Sequence, residues 1–70
     1  MKIAIIGCGV MGSALARHLA KKHMVALYDH HEEKSKKLAS VLGAKASAKK
    51  SIKETTQGSD IVILAVKPKD

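Results

Sequence analysis

The feature that most constrains this chain is a glycine-rich turn placed between an apolar run and a helical pattern. Residues 7–12 read GCGVMG and directly follow the run KIAII. Gly7 allows a sharp turn off a strand, Gly9 lets the backbone approach a phosphate, and Gly12 lets a helix pack close to the strand. The N–H groups and dipole at the start of that helix would face the anion. The stretch therefore predicts a phosphate-binding turn.

The length and composition allow one small domain with a thin core. The chain has 70 residues, one cysteine, one tyrosine, and neither Trp nor Phe. A chain of this size buries about 60% of its unfolded surface, so we expect marginal stability on its own. A single cysteine excludes an intrachain disulfide, and the placement of the four histidines predicts no metal site. A reducing, cytoplasmic setting is expected.

The formal net charge of +7 makes nucleic acid a candidate partner. The lysines are spread over several stretches, and the chain lacks stacking aromatics and a recognisable nucleic-acid motif, which argues against that partner. No apolar run approaches the roughly 20 residues of a membrane helix, so no membrane association is predicted. The favoured interpretation is a solvated basic surface that attracts an anionic cofactor.

Apolar runs and amphipathic stretches alternate along the rest of the chain. We predict strands at residues 3–6, 24–28, 44–46 and 61–66, and helices at residues 10–22, 32–42 and 52–57. Right-handed crossovers between parallel strands then give the sheet order 3-2-1-4, the first part of a doubly wound, Rossmann-like α/β fold with flanking helices. The fourth strand is apolar on both faces, yet no later strand covers its outer edge. Residues 1–70 are therefore expected to be the N-terminal part of a dinucleotide-binding domain, truncated after the fourth strand.

Helix ends and buried faces are also predicted. Gly43 and Gly58 should end the second and third helices, and Ser51 with Glu54 forms a capping-box pattern at the start of the third. The residues expected to face the core are Met11, Ala14, Leu15, His18 and Leu19 in the first helix, and Leu38, Val41 and Leu42 in the second.

Asp29 ends the second strand and lies 20 residues beyond Gly9. A carboxylate there would accept hydrogen bonds from the adenosine ribose of NAD and would repel the 2′-phosphate of NADP. His30, His31 and Lys34 could offset that repulsion, so the sequence leaves NADP or NAD open as the cofactor. The alternative role for Asp29 is to cap the second helix.

Cys8 and the segment after the fourth strand are two further candidates. The helix N-terminus beside Cys8 would lower the pKa of its thiol and make a nucleophile conceivable. A small residue tolerated beside the cofactor is the favoured interpretation, because no base or orienting partner is in view. Lys67 and Pro68 follow the fourth strand at the carboxyl edge, where ligands of open α/β sheets bind.

Three segments together resemble the N-terminal domain of the pyrroline-5-carboxylate reductase family, over the whole chain: the GCGVMG turn, Ser59-Asp60 leading into IVILAV, and Lys67-Pro68 directly after it. The resemblance implies hydride transfer from NADPH or NADH to 1-pyrroline-5-carboxylate, which gives proline. It also implies cofactor contacts from Gly7, Cys8, Gly9, Val10, Met11 and Gly12 at the pyrophosphate, Asp29 and His30 at the ribose, and Ala65, Val66, Lys67 and Pro68 at the nicotinamide side.

Other functions stay open beside this one. The family usually has Asn where Val10 stands, and 3-hydroxyacid dehydrogenases often read GxGxMG, so that module or a cofactor-reducing oxidoreductase is an alternative, although Lys67-Pro68 speaks against both. A stand-alone nucleotide-sensing or interaction module that dimerises through strand four is another. The family's substrate-binding, dimer-forming domain follows the nucleotide domain, so the segment alone is expected to have little or no reductase activity.

Overall fold

The computed structural model describes residues 1–65, so the predicted site residues Val66, Lys67 and Pro68 lie outside the described residues. Within that range strands and helices alternate along the chain. The elements are β1 (Lys2–Ile6), α1 (Val10–Leu19), β2 (Met24–Tyr28), α2 (Glu32–Leu42), β3 (Ala46–Ala48), α3 (Ile52–Thr56) and β4 (Ile61–Leu64). The strands form one parallel sheet in the order β3-β2-β1-β4, which confirms the predicted fold class.

β1 is the central strand, and its sequence explains why. Its apolar run has no polar alternation, as expected of a strand covered on both faces, and all residues from Ile3 to Ile6 are buried. In the sheet register Ile6 lies opposite Tyr28 of β2 on one side and Leu64 of β4 on the other. The glycine turn therefore leaves the sheet between the ends of β2 and β4.

The main core lies between the sheet and the first two helices. Alternate residues of β1 and β2 point to this face, where they meet small residues of α1 and a leucine of α2. The cluster includes Ile3, Ile5, Val25, Leu27, Ala16, Ala20 and Leu38. The crossover from β3 to β4 runs in the opposite direction across the sheet, so right-handedness places α3 on the other face, against β1 and β2.

The buried face of α1 differs from the prediction. Gly12 and Ala16 are buried and Leu15 and Leu19 are partly buried, whereas Met11, Ala14 and His18 are exposed. Close packing on the sheet selects the smallest side chains for the contact face, and the larger ones lie beside it or in solvent. The helix also ends at Leu19 rather than at Lys22, because the chain tightens into a turn in which Lys22 N–H donates to the Leu19 carbonyl.

α2 spans the predicted residues, and Gly43 follows it with a φ of +86°, as expected of a helix end. Its buried face is shifted by one turn. Leu38 is buried and Leu42 half-buried as predicted, but Val41 is exposed and Ser35 is fully buried. A serine is tolerated there because its Oγ donates to the Glu32 carbonyl at 2.9 Å.

β3 begins two residues later than predicted, at Ala46 instead of Ala44. The intervening residues form the turn after α2, in which Ala46 N–H donates to the Gly43 carbonyl at 3.1 Å. Small residues in this strand give no hydrophobic alternation that could fix its start from the sequence.

α3 carries the predicted cap with one difference. Ser51 Oγ accepts from the Glu54 N–H at 3.1 Å, but the Glu54 carboxylate accepts from the Lys50 N–H at 3.2 Å rather than from Ser51. The helix ends at Thr56, one residue short of the prediction, and Gly58 follows with a φ of +74°. The glycine therefore acts just beyond the helix, as expected.

β4 forms one edge of the sheet in the described residues and pairs there with β1. Its side chains Ile61, Val62 and Leu64 are exposed, Leu64 to 73%. Within the described residues the strand ends at Leu64, although Ala65 N–H still donates to the Ile6 carbonyl at 2.8 Å, and the predicted end at Val66 lies outside those residues. Both faces of this strand thus present apolar surface to solvent. The sequence predicted only that its outer edge would be uncovered.

Candidate functional site

The glycine turn begins with a backbone conformation that requires glycine. Gly7 has a φ of +109°, in the region that residues with a Cβ rarely adopt. Its N–H donates to the Tyr28 carbonyl at 2.7 Å, which ties the turn to the end of β2. The prediction that Gly7 allows a sharp exit from the strand is confirmed.

Gly12 is required for a different reason, the close approach of α1 to the turn. A Cβ at residue 12 would overlap the Gly7 carbonyl oxygen and lie 2.9 Å from its carbonyl carbon. It would also lie 3.4 Å from the Cβ of Ala65, the residue that follows β4. The predicted close packing of helix on strand is therefore confirmed, and Ala65 is brought beside the turn.

The start of α1 is open and has no cap of its own. Gly9 is the N-cap residue, makes no side-chain hydrogen bond, and would have nothing within 4 Å of an added Cβ. The first turn of α1 contains no acidic residue, whereas α2 and α3 each have one or two there. The unpaired N–H groups of this turn and its dipole thus face free space that could hold a phosphate.

Val10 and Met11 complete the turn and project into solvent. Val10 is 86% exposed and Met11 68% exposed, unusually high values for apolar side chains. They are the first two residues of α1 and so belong to its open start. An apolar rim of this kind suits the contact surface of a large organic ligand better than the surface of a solitary helix.

Asp29 lies against the glycine turn. Its Oδ2 accepts from the Cys8 N–H at 2.6 Å and its Oδ1 from the His31 N–H at 2.8 Å. The N-cap residue of α2 is His31, so the alternative in which Asp29 caps that helix is wrong. The register of β1 and β2, with Ile6 opposite Tyr28, is what brings this carboxylate to the turn.

Neighbouring groups stabilise the negative charge of Asp29. Partial burial alone raises the pKa of the carboxyl group. The N–H donors of Cys8 and His31, with the charge of Lys34, outweigh burial and hold the pKa below its ordinary value. Asp29 is therefore ionised at neutral pH, and hydrogen bonds to both of its oxygens fix its orientation.

Cys8 does not have the environment of a nucleophile. Its side chain is 6% exposed, and its Sγ donates to the Tyr28 carbonyl at 3.7 Å. Burial, and then the negative charge of Asp29, raise the pKa of the thiol from 9.0 to about 11, against a smaller opposite effect of Lys34. The expectation that the helix N-terminus lowers this pKa is wrong, because the thiol points into the protein beside a carboxylate.

The structure brings the predicted residues together at the carboxyl edge of the sheet. The turn bonds to Asp29 through the Cys8 N–H, and Ala65 lies beside the turn at Gly12. His30 is exposed and lies edge-on to His31, with 5.3 Å between ring centroids.

A basic cleft beside the turn was not predicted. It has a volume of about 290 Å³ between α1 and α2, and its lining includes the cations Arg17, Lys34 and Lys37. Within residues 1–65 the ion pair found is Lys36 with Glu32 at 3.6 Å, so no carboxylate lies within 4.0 Å of these three cations. The signal in the sequence was the spacing of Ser13 with Arg17, one helical turn apart on the face that adjoins α2.

A larger cleft, of about 440 Å³, opens at the other end of the sheet, where Lys2 and Met24 begin their strands. It lies beside α3 and contains none of the predicted site residues. The carboxyl edge has the glycine turn, the open helix start and the cations, and it therefore remains the candidate site despite its smaller cleft.

Comparison with known proteins decides the family. Residues 2–70 match the family described as NADP oxidoreductase, coenzyme F420-dependent. The chain belongs to this family. No curated protein matches the chain.

A solved structure supports the assignment to this NADP oxidoreductase family. It is an imine reductase from Myxococcus stipitatus, the V8 variant, in complex with NAD+. The two chains are 26% identical with a TM-score of 0.76, and the similarity covers 93% of this chain and 22% of that chain. This chain thus spans about a fifth of the length of that reductase.

The family and the NAD+ complex together confirm the coarser predictions: an oxidoreductase-family domain with a Rossmann-like fold and an NADP or NAD cofactor. The residues of the turn fit such a group, since Gly9 leaves open space in front of unpaired helix donors. Two further findings concern residues 1–65. They contain no group of three or more side chains suited to hold a metal ion, and none of their helices has the length and apolar character of a membrane span.

Proposed function

We propose that this chain is the NAD(P)H-binding part of a reductase that acts on a cyclic imine, with 1-pyrroline-5-carboxylate as the preferred substrate. The observation that carries the proposal is the open, uncapped start of α1 at the glycine turn, braced by Asp29. The sequence resemblance to pyrroline-5-carboxylate reductases and the structural similarity to an imine reductase both favour a C=N bond as the group reduced. A role in proline synthesis, in the cytoplasm, is part of this proposal.

The proposed cofactor contacts follow the carboxyl edge. The first N–H groups of α1 would hold the pyrophosphate, with Gly9 giving it room. Asp29 and His30 would hold the adenosine ribose, and Ala65, Val66, Lys67 and Pro68 would hold the nicotinamide side. The positive charge of Lys34 helps to lower the pKa of Asp29, and Lys34 lines the basic cleft that adjoins the site.

When bound, the reduced cofactor would supply a hydride for the imine carbon, and the imine nitrogen would take up a proton. The residues of this chain hold and orient the cofactor. They also provide positive potential near its phosphates, from the α1 dipole and from Arg17, Lys34 and Lys37. No residue of the chain is assigned to the proton transfer, and the proposal places the imine site outside residues 1–70.

We also propose that residues 1–70 are the N-terminal part of a larger enzyme. The chain spans 22% of the imine reductase it resembles, and the exposed side chains of β4 offer a surface for further structure. In this proposal, later residues continue the sheet past β4 and add a helical domain that binds the imine and forms a dimer.

The test is an assay of the intact protein with 1-pyrroline-5-carboxylate and either NADPH or NADH, followed as loss of absorbance of the reduced cofactor. The proposal expects proline as the product and no turnover by residues 1–70 alone. Turnover of a 3-hydroxyacid in its place would assign the chain to the alternative enzyme class. Measurable reduction of the imine by the 70-residue segment would contradict the proposed division of labour.

A second candidate function is a nucleotide-sensing module that dimerises through strand four. The exposure of Ile61, Val62 and Leu64 is the observation that favours it. Sedimentation with and without NADPH separates the two functions. A stable oligomer that binds the nucleotide tightly and has no reductase activity would support the module.

A further inference from the structure

We propose that Asp29 contributes to cofactor affinity chiefly as a positioning residue, by holding the phosphate-binding turn in shape from the end of β2. This inference rests on the proposed function and concerns the same site. It assigns Asp29 a role toward the pyrophosphate, in addition to the proposed place of Asp29 near the ribose.

The first line of evidence is that the carboxylate of Asp29 accepts a hydrogen bond at each of its two oxygens. Oδ2 accepts from the Cys8 N–H at 2.6 Å and Oδ1 accepts from the His31 N–H at 2.8 Å. Both oxygens thus accept from backbone N–H groups, one in the glycine turn and one at the N-cap of α2. Charge-assisted bonds of this kind are shorter and stronger than bonds between neutral groups.

The second line of evidence is what Cys8 would lose without the carboxylate. Cys8 is buried in the middle of the turn, between the two glycines that shape it. The bond of its N–H to Asp29 is partly buried, and an N–H left there without an acceptor is costly, so the turn would have to move to find another partner. The Cys8 N–H, used in this way, leaves the phosphates to the donors at the start of α1.

The third line of evidence is that the same turn is held at neighbouring atoms. Gly7 N–H donates to the Tyr28 carbonyl at 2.7 Å, and Ser13 Oγ donates to the Cys8 carbonyl at 3.1 Å. Asp29 is the only ionised side chain in this set, and it bonds to the residue that separates Gly7 from Gly9. Its removal is expected to loosen the turn at the point where a phosphate must fit.

A matched control lies at the end of β1 opposite to the turn. Asp60 Oδ2 accepts from the N–H of Lys2, the first residue of β1, at 2.8 Å, so there too a carboxylate holds a backbone donor. Its bond is remote from the turn. Asp60→Ala therefore removes a bond of the same chemical kind, although a more exposed one, without touching the proposed phosphate site.

The experiment is calorimetric titration of the intact protein with ADP and with 2′,3′-dideoxy-ADP, which keeps the diphosphate and lacks the ribose hydroxyls. We expect Asp29→Ala to weaken both ligands by about tenfold, by a similar factor each, and Asp60→Ala to change neither by more than about twofold. Asp29→Asn keeps one acceptor oxygen and should recover part of the loss.

A loss confined to ADP would overturn the inference, because it would place the action of Asp29 at the ribose hydroxyls. Unchanged binding of both ligands by Asp29→Ala would also overturn it. Failure of the unaltered protein to bind either ligand would instead remove the proposed function itself.

If Asp29→Ala does not fold, hydrogen exchange of the Cys8 amide in Asp29→Asn gives a separate test. We expect faster exchange than in the unaltered protein and in Asp60→Asn. An unchanged Cys8 exchange rate in Asp29→Asn would overturn the inference.

Discussion

The carbonyl oxygen of Gly7 occupies the place that a Cβ at residue 12 would take, so Gly12 and Gly7 are fitted to each other. Gly7 turns the chain off β1 with a positive φ, and this aims its carbonyl at the first turn of α1. The two glycines, five residues apart, thus act as one structural unit. Gly9, between them, has open space on the side where its Cβ would be.

Gly12→Ala is expected to destabilise the protein by about 1–3 kcal/mol, because the methyl group forces apart the turn and the helix. The same displacement should weaken cofactor binding. Urea denaturation of the intact protein measures the first effect, and titration with NADPH the second. Unchanged stability would mean that α1 can shift on the sheet without cost, against the packing described here.

Gly9→Ala is the matched comparison, and it should affect cofactor binding more than stability. Its methyl group meets nothing within 4 Å, so the denaturation midpoint should stay within the range of an ordinary surface substitution. Binding of NADPH and NADH should fall by at least tenfold, because the methyl group takes up the space proposed for the pyrophosphate. Tight binding by this variant would show that the phosphates lie elsewhere.

The contrast between these glycines also indicates what the sequence could and could not predict. Gly7 and Gly12 were predicted correctly, because a turn followed by a helix makes local demands that the spacing of residues expresses. The contact face of α1 was predicted only in part, since apolar character alone placed Met11 inward, whereas the residues buried against the sheet are the small Gly12 and Ala16. The sheet order followed from alternation and handedness, which need no knowledge of side-chain contacts.

Asp29 and Cys8 show the limit more clearly. The sequence placed both at the carboxyl edge, but their contact depends on the register between β1 and β2, which no local pattern specifies. The predicted direction of the Cys8 pKa shift was wrong because it too depends on contacts that no local pattern specifies. A helix N-terminus nearby could be predicted, whereas burial beside a carboxylate could not.

The Cys8 thiol is expected to resist alkylation. A pKa raised from 9.0 to about 11 lowers the thiolate fraction near pH 8 by about 100-fold, and burial limits access further. Labelling with iodoacetamide at pH 8, followed by mass spectrometry, should be far slower in the folded protein than in urea. Similar rates in the two conditions would contradict the burial of this thiol.

Acid should weaken the hydrogen bond between the Asp29 carboxylate and the turn. A carboxyl group whose pKa is lowered in the folded state adds stability above its unfolded value, near pH 4, and loses it as pH falls through the folded value. The urea midpoint should therefore fall less between pH 5 and pH 3 in Asp29→Asn than in the unaltered protein. Parallel pH curves for the two proteins would contradict this role.

Ser51→Ala should cost about 0.5–2 kcal/mol, because the Glu54 N–H at the start of α3 loses its acceptor. Glu54→Ala removes only the exposed bond to the Lys50 N–H and should cost less. Urea denaturation of both variants checks the order. A larger effect for Glu54 would mean that its side chain does more than complete the cap.

The uncapped start of α1 places two selective pressures in opposition at one residue. Serine or asparagine at position 9 would satisfy a helix donor and strengthen the protein in isolation, as Ser51 does for α3. Such a side chain would also fill the space in front of those donors. A search for thermostable variants would therefore replace the glycine at residue 9 and lose cofactor binding. Glycine at this position favours binding at the expense of stability.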